Sequence, residues 1–459
     1  MIQEGGKSMS KKVSKIVALI IAAMMLSSLV ACGGNGNQPA AGDDDTAVAD
    51  GGGGAAVTPD SDDPPDSDDP PEAVVLRWAF WVHAEDIGAW QHGMDEYTAL
   101  NPHVTFEIEG YPWGQFWDNL QVQVLANMQP DITGMVTMQS QHYMRSGALL
   151  NLQPFIDRDG FDIEDFWPAN MTAYTHEGDI YALPYDLSQN VFLANLDLFD
   201  EAGVPHPPAD GWTFDEFRET VIALTESDLG IYGAAWQPGD WGFFDIMLST
   251  GNPMISEDGL TLTVDAPEVV QATQQIADLL LVDDAVIPAG QANDLGMFEA
   301  GRVALISVNP EWVMVRKQRM PGVNLDVFHL PTFGDSPTRA LVGGAFAIGS
   351  NTEHPEIAWD FLKFYTSAEI LRGTVADSHR GIPGRMSIAD YMLESEWAVP
   401  SSYRFFETIP YATWITFNNY VQVMTIFNQY LDQIWLGEST AEEALRAFVI
   451  EGNEMIARD

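Results

Sequence analysis

The sequence contains a single cysteine, Cys32, among 459 residues. Because a disulfide needs two thiols, the chain cannot form one internally, and its stability has to come from a hydrophobic core. None of the nine histidines stands in the His-Glu-x-x-His spacing of zinc hydrolases. The Gly-x-Ser-x-Gly turn of serine hydrolases and the Gly-x-x-x-x-Gly-Lys loop of nucleotide-binding proteins are also missing. We therefore expect no metal, no cofactor and no enzymatic activity of these kinds.

Positive charge is scarce as well. The chain has 20 Lys and Arg against 67 Asp and Glu, which gives a formal net charge of −47. Such a field repels nucleic acid and anionic membrane surfaces, so we expect neither as a direct partner. The acidic charge indicates high solubility, and a cation-binding role is the alternative interpretation.

Long apolar runs are limited to the beginning of the chain. Lysines precede a run at 16–26, which is well short of the ~20 residues that span a bilayer and is typical of a secretory signal. Residues 29–31 and Cys32 read Leu-Val-Ala-Cys, which resembles the bacterial lipobox. We expect removal of residues 1–31 and a membrane anchor on lipidated Cys32. An unmodified cysteine is the alternative.

The next segment, 32–73, is rich in Gly, Ala, Asp and Pro. It repeats Pro-Asp-Ser-Asp-Asp-Pro at 59–64 and 65–70. Such a composition has little apolar surface to bury, which predicts a disordered acidic stalk. A calcium loop is the alternative, but the spacing lacks the glycine and the distal glutamate of such a loop.

The remainder has the pattern of an α/β fold. A buried strand at 74–81 is followed by a helix at about 86–100 and an alternating strand at 104–108. This β-α-β unit predicts a parallel sheet with its ligand site beyond the carboxyl ends of the strands. Capping-box patterns predict two further helices, one opened by Thr213 with Glu216 and one that begins near Ser439, where Glu442 follows three residues on. Helices are also expected from Pro355 to Ser367 and from Trp414.

Several motifs from residue 183 onward carry a family resemblance. They read, in chain order, LPYD at 183–186, LANLDLF at 193–199, AGVP at 202–205, WTFDEF at 212–217, MFEAGRVAL at 297–305, Trp312, GG at 343–344 and GIPGR at 381–385. This ordered set resembles the extracellular solute-binding proteins of ATP-driven sugar importers, the family that includes the maltose-binding protein.

The resemblance implies a two-lobed periplasmic-binding-protein-like α/β fold with hinge crossings near 185–190 and 340–350. The N-terminal lobe would comprise 74–186 plus 340–386, and the C-terminal lobe 187–339 plus 387–459. The protein would capture a carbohydrate between the lobes and deliver it to the permease of an ABC importer. We expect an extracytoplasmic monomer; a surface adhesin and a glycan-active enzyme are the alternatives.

A sugar site needs aromatic plates with carboxylate, amide and guanidinium groups at their edges. The resemblance places such side chains at nine positions, which we take as the expected ligand-binding residues: Trp81, Glu85, Gln139, Asp186, Trp236, Trp241, Trp312, Arg380 and Trp414. For each of them, packing in the core or support of the hinge is the competing interpretation.

Overall fold

The computed structural model describes residues 72–82, 87–226, 229–236, 239–256, 258–288, 294–336, 338–396, 398–417 and 419–457. The expected signal segment, Cys32 and most of the stalk lie outside these residues. Within the described part of the chain, no helix combines the length and apolar character needed to cross a bilayer. The same part holds no cluster of three or more His, Cys, Asp or Glu side chains arranged to hold a metal ion.

Strands and helices alternate along much of the chain. The strands are β1 Val74–Trp81, β2 Val104–Tyr111, β3 Ile132–Val136, β4 Thr175–His176, β5 Asp179–Ile180, β6 Ala182–Pro184, β7 Asp186–Leu187, β8 Val191–Asn195, β9 Tyr232–Ala235, β10 Val303–Val308, β11 Leu325–Phe328, β12 Arg339–Ala340, β13 Gly344–Ile348, β14 Ile382–Pro383 and β15 Ala412–Thr413. The helices are α1 Ile87–Leu100, α2 Trp113–Leu125, α3 Thr137–Arg145, α4 Gln153–Asp159, α5 Pro168–Ala173, α6 Leu196–Ala202, α7 Phe214–Ala223, α8 Asp240–Ser249, α9 Pro267–Leu281, α10 Asp294–Glu299, α11 Pro310–Arg319, α12 Pro355–Tyr365, α13 Ala368–Leu371, α14 Ala389–Leu393, α15 Arg404–Glu407, α16 Tyr420–Trp435 and α17 Ala441–Ile456.

The first sheet has the strand order β2-β1-β3-β13-β6. β1 pairs in parallel with β2 on one side and with β3 on the other, and β13 runs antiparallel to both β3 and β6. The predicted β-α-β unit is therefore confirmed. Its parallel pairs bring the carboxyl ends of β1, β2 and β3 to one edge of the sheet.

An aromatic cluster forms the core of this first layer. The fully buried Trp78 ring lies 4.6 Å from Phe346 and 4.9 Å from Tyr365, measured between ring centroids. Tyr365 and Phe361 come from α12, whose apolar face packs as the four-residue spacing predicted. The helix ends at Tyr365, two residues before the expected Ser367.

The second sheet has the order β11-β8-β10-β9, in which β8 runs antiparallel to both of its neighbours. The capping box predicted at Thr213 and Glu216 opens α7. The expected cap at Ser439 is wrong by one residue, because Thr440 is the residue whose side chain accepts the backbone N–H of Glu443.

The chain passes between the two sheets at defined places. It leaves the first sheet after β6, enters the second with β8, and returns between β11 and β13. Ser188 and Val342 exchange backbone hydrogen bonds in these passages, and β12 pairs with β15 beside them. The molecule therefore has the two-lobed α/β architecture expected, with strands of the crossings lying side by side.

The prediction that a helix begins at Trp414 is wrong. α16 begins at Tyr420, because the preceding Asn419 has a φ of 55° and so lies outside helical geometry. Trp414 directly follows β15, in a stretch without regular secondary structure.

Candidate ligand-binding cleft

Three tryptophans converge at the carboxyl edge of the first sheet. Trp81 ends β1, and Trp113 and Trp117 lie in α2, which follows β2 directly. The Trp81 ring lies 5.1 Å from Trp113 and 5.7 Å from Trp117. Trp117 is buried, whereas Trp113 is 45% exposed. The indole ring of Trp113 is therefore accessible to solvent and packs against the rings of Trp81 and Trp117.

Across from this cluster lies the first half of α16, which packs against helices of the second sheet. A groove of about 530 Å³ runs between them. Its walls are formed by Trp113, Gly114, Trp117, Asp118, Met138, Gln139, Tyr420, Val421, Met424, Thr425 and Asn428. A smaller adjoining recess shares Trp117, Gln139 and Tyr420. Flat apolar faces with amide and carboxylate groups at the rim suit a ligand that has both apolar faces and hydrogen-bonding groups.

A cluster of polar side chains lies at the first crossing, around Asp186. Its Oδ1 accepts the backbone N–H of Gly344 at 2.7 Å. Burial raises the pKa of this carboxyl to about 6, although the Arg380 guanidinium and the Gly344 hydrogen bond act in the opposite direction. Arg380 stacks on Trp90, with 4.0 Å from Cζ to the ring centroid. The backbone at Gly344 packs directly on Tyr185. A side chain at position 344 would not fit, because its Cβ would lie 2.2 Å from the Tyr185 ring.

Glu311 adds a second carboxylate to the same region from the other sheet. It accepts hydrogen bonds from Asn309 Nδ2 at 3.0 Å and from Ser188 Oγ at 3.4 Å. Burial is the main reason that its pKa is raised to about 7, and the charge of Asp186 adds to the shift. Sequence reasoning missed Glu311, although its place just after β10 was a usable signal.

Four of the expected site residues fall in these two clusters. Trp81 supports the aromatic groove and Gln139 lines it. Asp186 and Arg380 face one another at the crossing. Trp113, Trp117 and Tyr420 were not among the site residues expected from the sequence. Trp113 could have been found by the rule that selected Trp81, since Trp81 ends one parallel strand of the first sheet and Trp113 comes just after another.

The remaining expected residues lie elsewhere. Trp236 is buried, with its ring 5.4 Å from Phe192 and 5.3 Å from Phe217. Trp312 is 42% exposed and carries the Arg316 guanidinium on one face at 5.1 Å. Trp414 Nε1 donates to Thr172 Oγ1 at 3.0 Å. None of these three lines the groove, and their ligand contact stays a prediction. Glu85 and the side chain of Trp241 lie outside the described residues.

Comparison with known proteins decides the family. Residues 94–400, about two thirds of the chain, match the model of the bacterial extracellular solute-binding proteins. The chain belongs to this family. Its relatives are binding proteins, and the family is extracellular, in agreement with the expected extracytoplasmic location.

Individual relatives of this solute-binding protein are distant. It is 26% identical over 275 residues to the arabinooligosaccharide-binding protein of Bacillus subtilis (strain 168), covering 56% of this chain and 61% of that one. It is 25% identical over 353 residues to the sn-glycerol-3-phosphate-binding periplasmic protein UgpB of Rhizobium meliloti (strain 1021), covering 68% and 76% of the two chains. The first of these matches spans less than two thirds of the relative's length.

The fold is shared with solved structures. An ABC substrate-binding protein from Listeria monocytogenes, solved in complex with cycloalternan, superposes with a TM-score of 0.74 at 20% identity. The superposition covers 83% of this chain and 99% of the Listeria chain. The likeness identifies the fold as that of a periplasmic-type binding protein.

Proposed function

We propose that this protein captures a carbohydrate in the groove between the first sheet and α16 and delivers it to the permease of an ABC importer. The observation that carries the proposal is the open Trp113 ring beside Gln139 and Asn428. Apolar sugar faces stack on indole rings, and sugar hydroxyls bond to amides and carboxylates. The arabinooligosaccharide-binding relative and the cycloalternan-bound structural neighbour support the same ligand class.

The proposal includes the arrangement of the chain around the cleft. The N-terminal lobe comprises 74–186 plus 340–386, and the C-terminal lobe comprises 187–339 plus 387–459. Closure of such lobes by hinge bending would bring α16 toward the Trp113 ring. Residues 1–31 act as a signal, lipid on Cys32 ties the protein to the membrane surface, and the protein is a monomer. Incorporation of labelled fatty acid, abolished by Cys32→Ser, tests the anchor.

A thermal-shift screen of neutral mono- and oligosaccharides tests the carbohydrate assignment. A ligand present at about 100 times its dissociation constant stabilises the folded state by roughly 2.7 kcal/mol. We expect at least one sugar to shift the melting temperature. Trp113→Ala should then weaken binding roughly tenfold, because it removes one stacking face.

Leu125→Ala is the matched control, since Leu125 ends the same helix and is 83% exposed. This variant should bind like the unmodified protein. If a broad sugar library gives no shift with folded protein, the carbohydrate assignment is wrong.

Catalysis is the competing function that one observation favours, because Asp186 and Glu311 are two carboxyls with raised pKa values that lie near each other at the first crossing. Glycoside hydrolases use such pairs. We propose binding without turnover, because the family consists of binding proteins. Incubation with a glycan panel should release no product, and product lost in Glu311→Gln would establish an enzyme instead.

A further inference from the structure

A further pocket lies beside the second sheet, next to the crossings. Its volume is about 420 Å³, within the ~300–1,000 Å³ range of small-molecule sites. It is lined by Asp210, Gly211, Trp212, Thr213, Glu216, His329, Leu330, Thr332, Arg339, Glu407, Thr408 and Tyr411. None of these residues lines the groove or the recess that adjoins it. The pocket is therefore separate from the proposed sugar site.

Arg339 supplies a buried guanidinium to this pocket. It begins β12, in the second crossing, and is 8% exposed. Its Nη1 donates to the backbone carbonyls of Thr338 at 3.0 Å and Ser336 at 3.5 Å. In the described part of the chain, its Nε and Nη2 have no hydrogen-bond partner. Because these two groups form the fork that binds both oxygens of a carboxylate, the free side of Arg339 fits a carboxylate ligand.

The charge of this guanidinium is only partly compensated. Asp245 is the carboxylate whose charge acts on Arg339, but its oxygens bond to Ala340 and Asn190 instead. Burial lowers the pKa of Arg339, and the charge of Asp245 opposes that shift. An anionic group bound at the free fork would therefore offset part of the desolvation cost of the guanidinium.

The rim of the pocket carries the opposite charge. Asp210, Glu216 and Glu407 line it from exposed positions. Glu407 bonds to His329 at 3.2 Å, but burial lowers the pKa of this histidine, so it does not neutralise Glu407 at neutral pH. The three carboxylates repel a simple anion, and Arg339 repels a simple cation. A molecule with both charges is complementary to both sides.

Tyr411 adds an aromatic face to the acidic rim. It lines the pocket and is 58% exposed. Cationic nitrogen, in particular quaternary ammonium, binds to the faces of aromatic rings. The cationic end of a ligand thus meets carboxylates and a ring, while its carboxylate meets the guanidinium fork.

We propose that this pocket is a second binding site, which takes a small zwitterion with a carboxylate and a cationic nitrogen, the chemistry of a free amino acid or a betaine. The carboxylate binds Nε and Nη2 of Arg339, and the nitrogen lies at the acidic rim beside Tyr411. The inference goes beyond the proposed function, because the site shares no lining residue with the groove and its ligand is not a carbohydrate.

Calorimetry at neutral pH with glycine betaine and L-proline tests the site. Each zwitterion is compared with two analogues that resemble it but carry a single charge. They are choline and 3,3-dimethylbutanoate for the betaine, and pyrrolidine and cyclopentanecarboxylate for proline. We expect at least one zwitterion to bind, and both of its analogues to bind about tenfold more weakly, because each loses one charged contact.

Two variants show where the zwitterion binds. Arg339→Gln removes the fork and should weaken binding about tenfold. Tyr411→Ala removes the ring from an exposed position and should weaken binding about threefold. Tyr403→Ala is the matched control, because Tyr403 is 42% exposed on the same segment but does not line the pocket. This control should bind like the unmodified protein.

Folding of each variant is checked by circular dichroism. The inference is overturned if neither zwitterion binds, if the singly charged analogues bind as tightly, or if the folded Arg339 and Tyr411 variants bind like the unmodified protein. The result does not depend on the sugar screen. Failure here leaves the carbohydrate assignment in place, and failure of every sugar to bind leaves this site in place.

Discussion

The carboxylate of Asp245 bonds to both crossings, and its contribution to stability can be tested directly. This α8 residue is 3% exposed. Its carboxylate accepts the backbone N–H of Ala340 at 2.9 Å and Nδ2 of Asn190 at 2.8 Å. One carboxylate therefore ties both crossings to the second lobe. Burial raises its pKa from 3.8 to about 6, although Asn190, Ala340 and the nearby Arg339 act in the opposite direction.

The pKa sets the magnitude and sign of a pH effect on stability. A difference between 3.8 and about 6 corresponds to about 3 kcal/mol against the ionised form in the folded state. Because the folded protein holds this proton more tightly than the unfolded chain, the stabilising contribution is present below about pH 4 and is lost as pH rises through about 6. Asp245→Asn cannot titrate, so its stability lacks this component.

Urea unfolding of both proteins between pH 4.5 and 7.5 measures the effect. We expect the free energy of unfolding of the unmodified protein, minus that of Asp245→Asn, to fall by about 2 kcal/mol over this range. The other carboxyls are common to both proteins and cancel in the difference. Asp210→Asn, at an exposed position, should give a constant difference. A constant difference for Asp245→Asn as well would refute the reasoning.

Three further substitutions test the fold, each by urea unfolding. Thr213→Ala removes the side-chain cap of α7 and should cost about 1 kcal/mol, with no loss expected for a Thr213→Ser variant. Phe361→Ala empties a fully buried site 4.5 Å from Phe106 and should cost about 3 to 5 kcal/mol; a loss below 1 kcal/mol would contradict the packing. Gly344→Ala forces a Cβ to within 2.2 Å of Tyr185 and should cost about 1 to 3 kcal/mol, whereas Gly88→Ala, with open space around it, should not destabilise.

Helices and strands were predicted correctly where their formation depends on residues close together in the chain. The alternation and apolar runs of residues 74–108 predicted the β-α-β unit, because side chains on one face of a strand or helix must share a burial environment. The cap of α7 was predicted because the Thr213 hydroxyl accepts the backbone N–H of Glu216 and the Glu216 carboxylate accepts the backbone N–H of Thr213, so the motif depends on residues only three positions apart. The cap of α17 was shifted by one residue, since Ser439 and Thr440 offer equivalent hydroxyls and only the backbone geometry selects between them.

Site residues were harder to predict, because the residue type alone does not tell whether a tryptophan is buried in a core or exposed in a cleft. Trp236 and Trp113 illustrate the difference. The ring of Trp236 is enclosed by Phe192 and Phe217, whereas that of Trp113 remains 45% exposed. Burial of each ring depends on residues far away in the chain, and no local spacing encodes it.

The sequence by itself determined the alternating α/β elements, the lack of an internal disulfide, the acidic charge and the ordered motifs of a solute-binding protein. These properties depend on composition or on neighbouring residues. Only the tertiary structure decided which side chains share the cleft. Trp113 faces α16 across more than 300 residues of chain, and Glu311 approaches Asp186 only because two sheets meet at the crossing. Long-range packing creates these pairs, so the charge and shape of the cleft emerge only when the chain is folded.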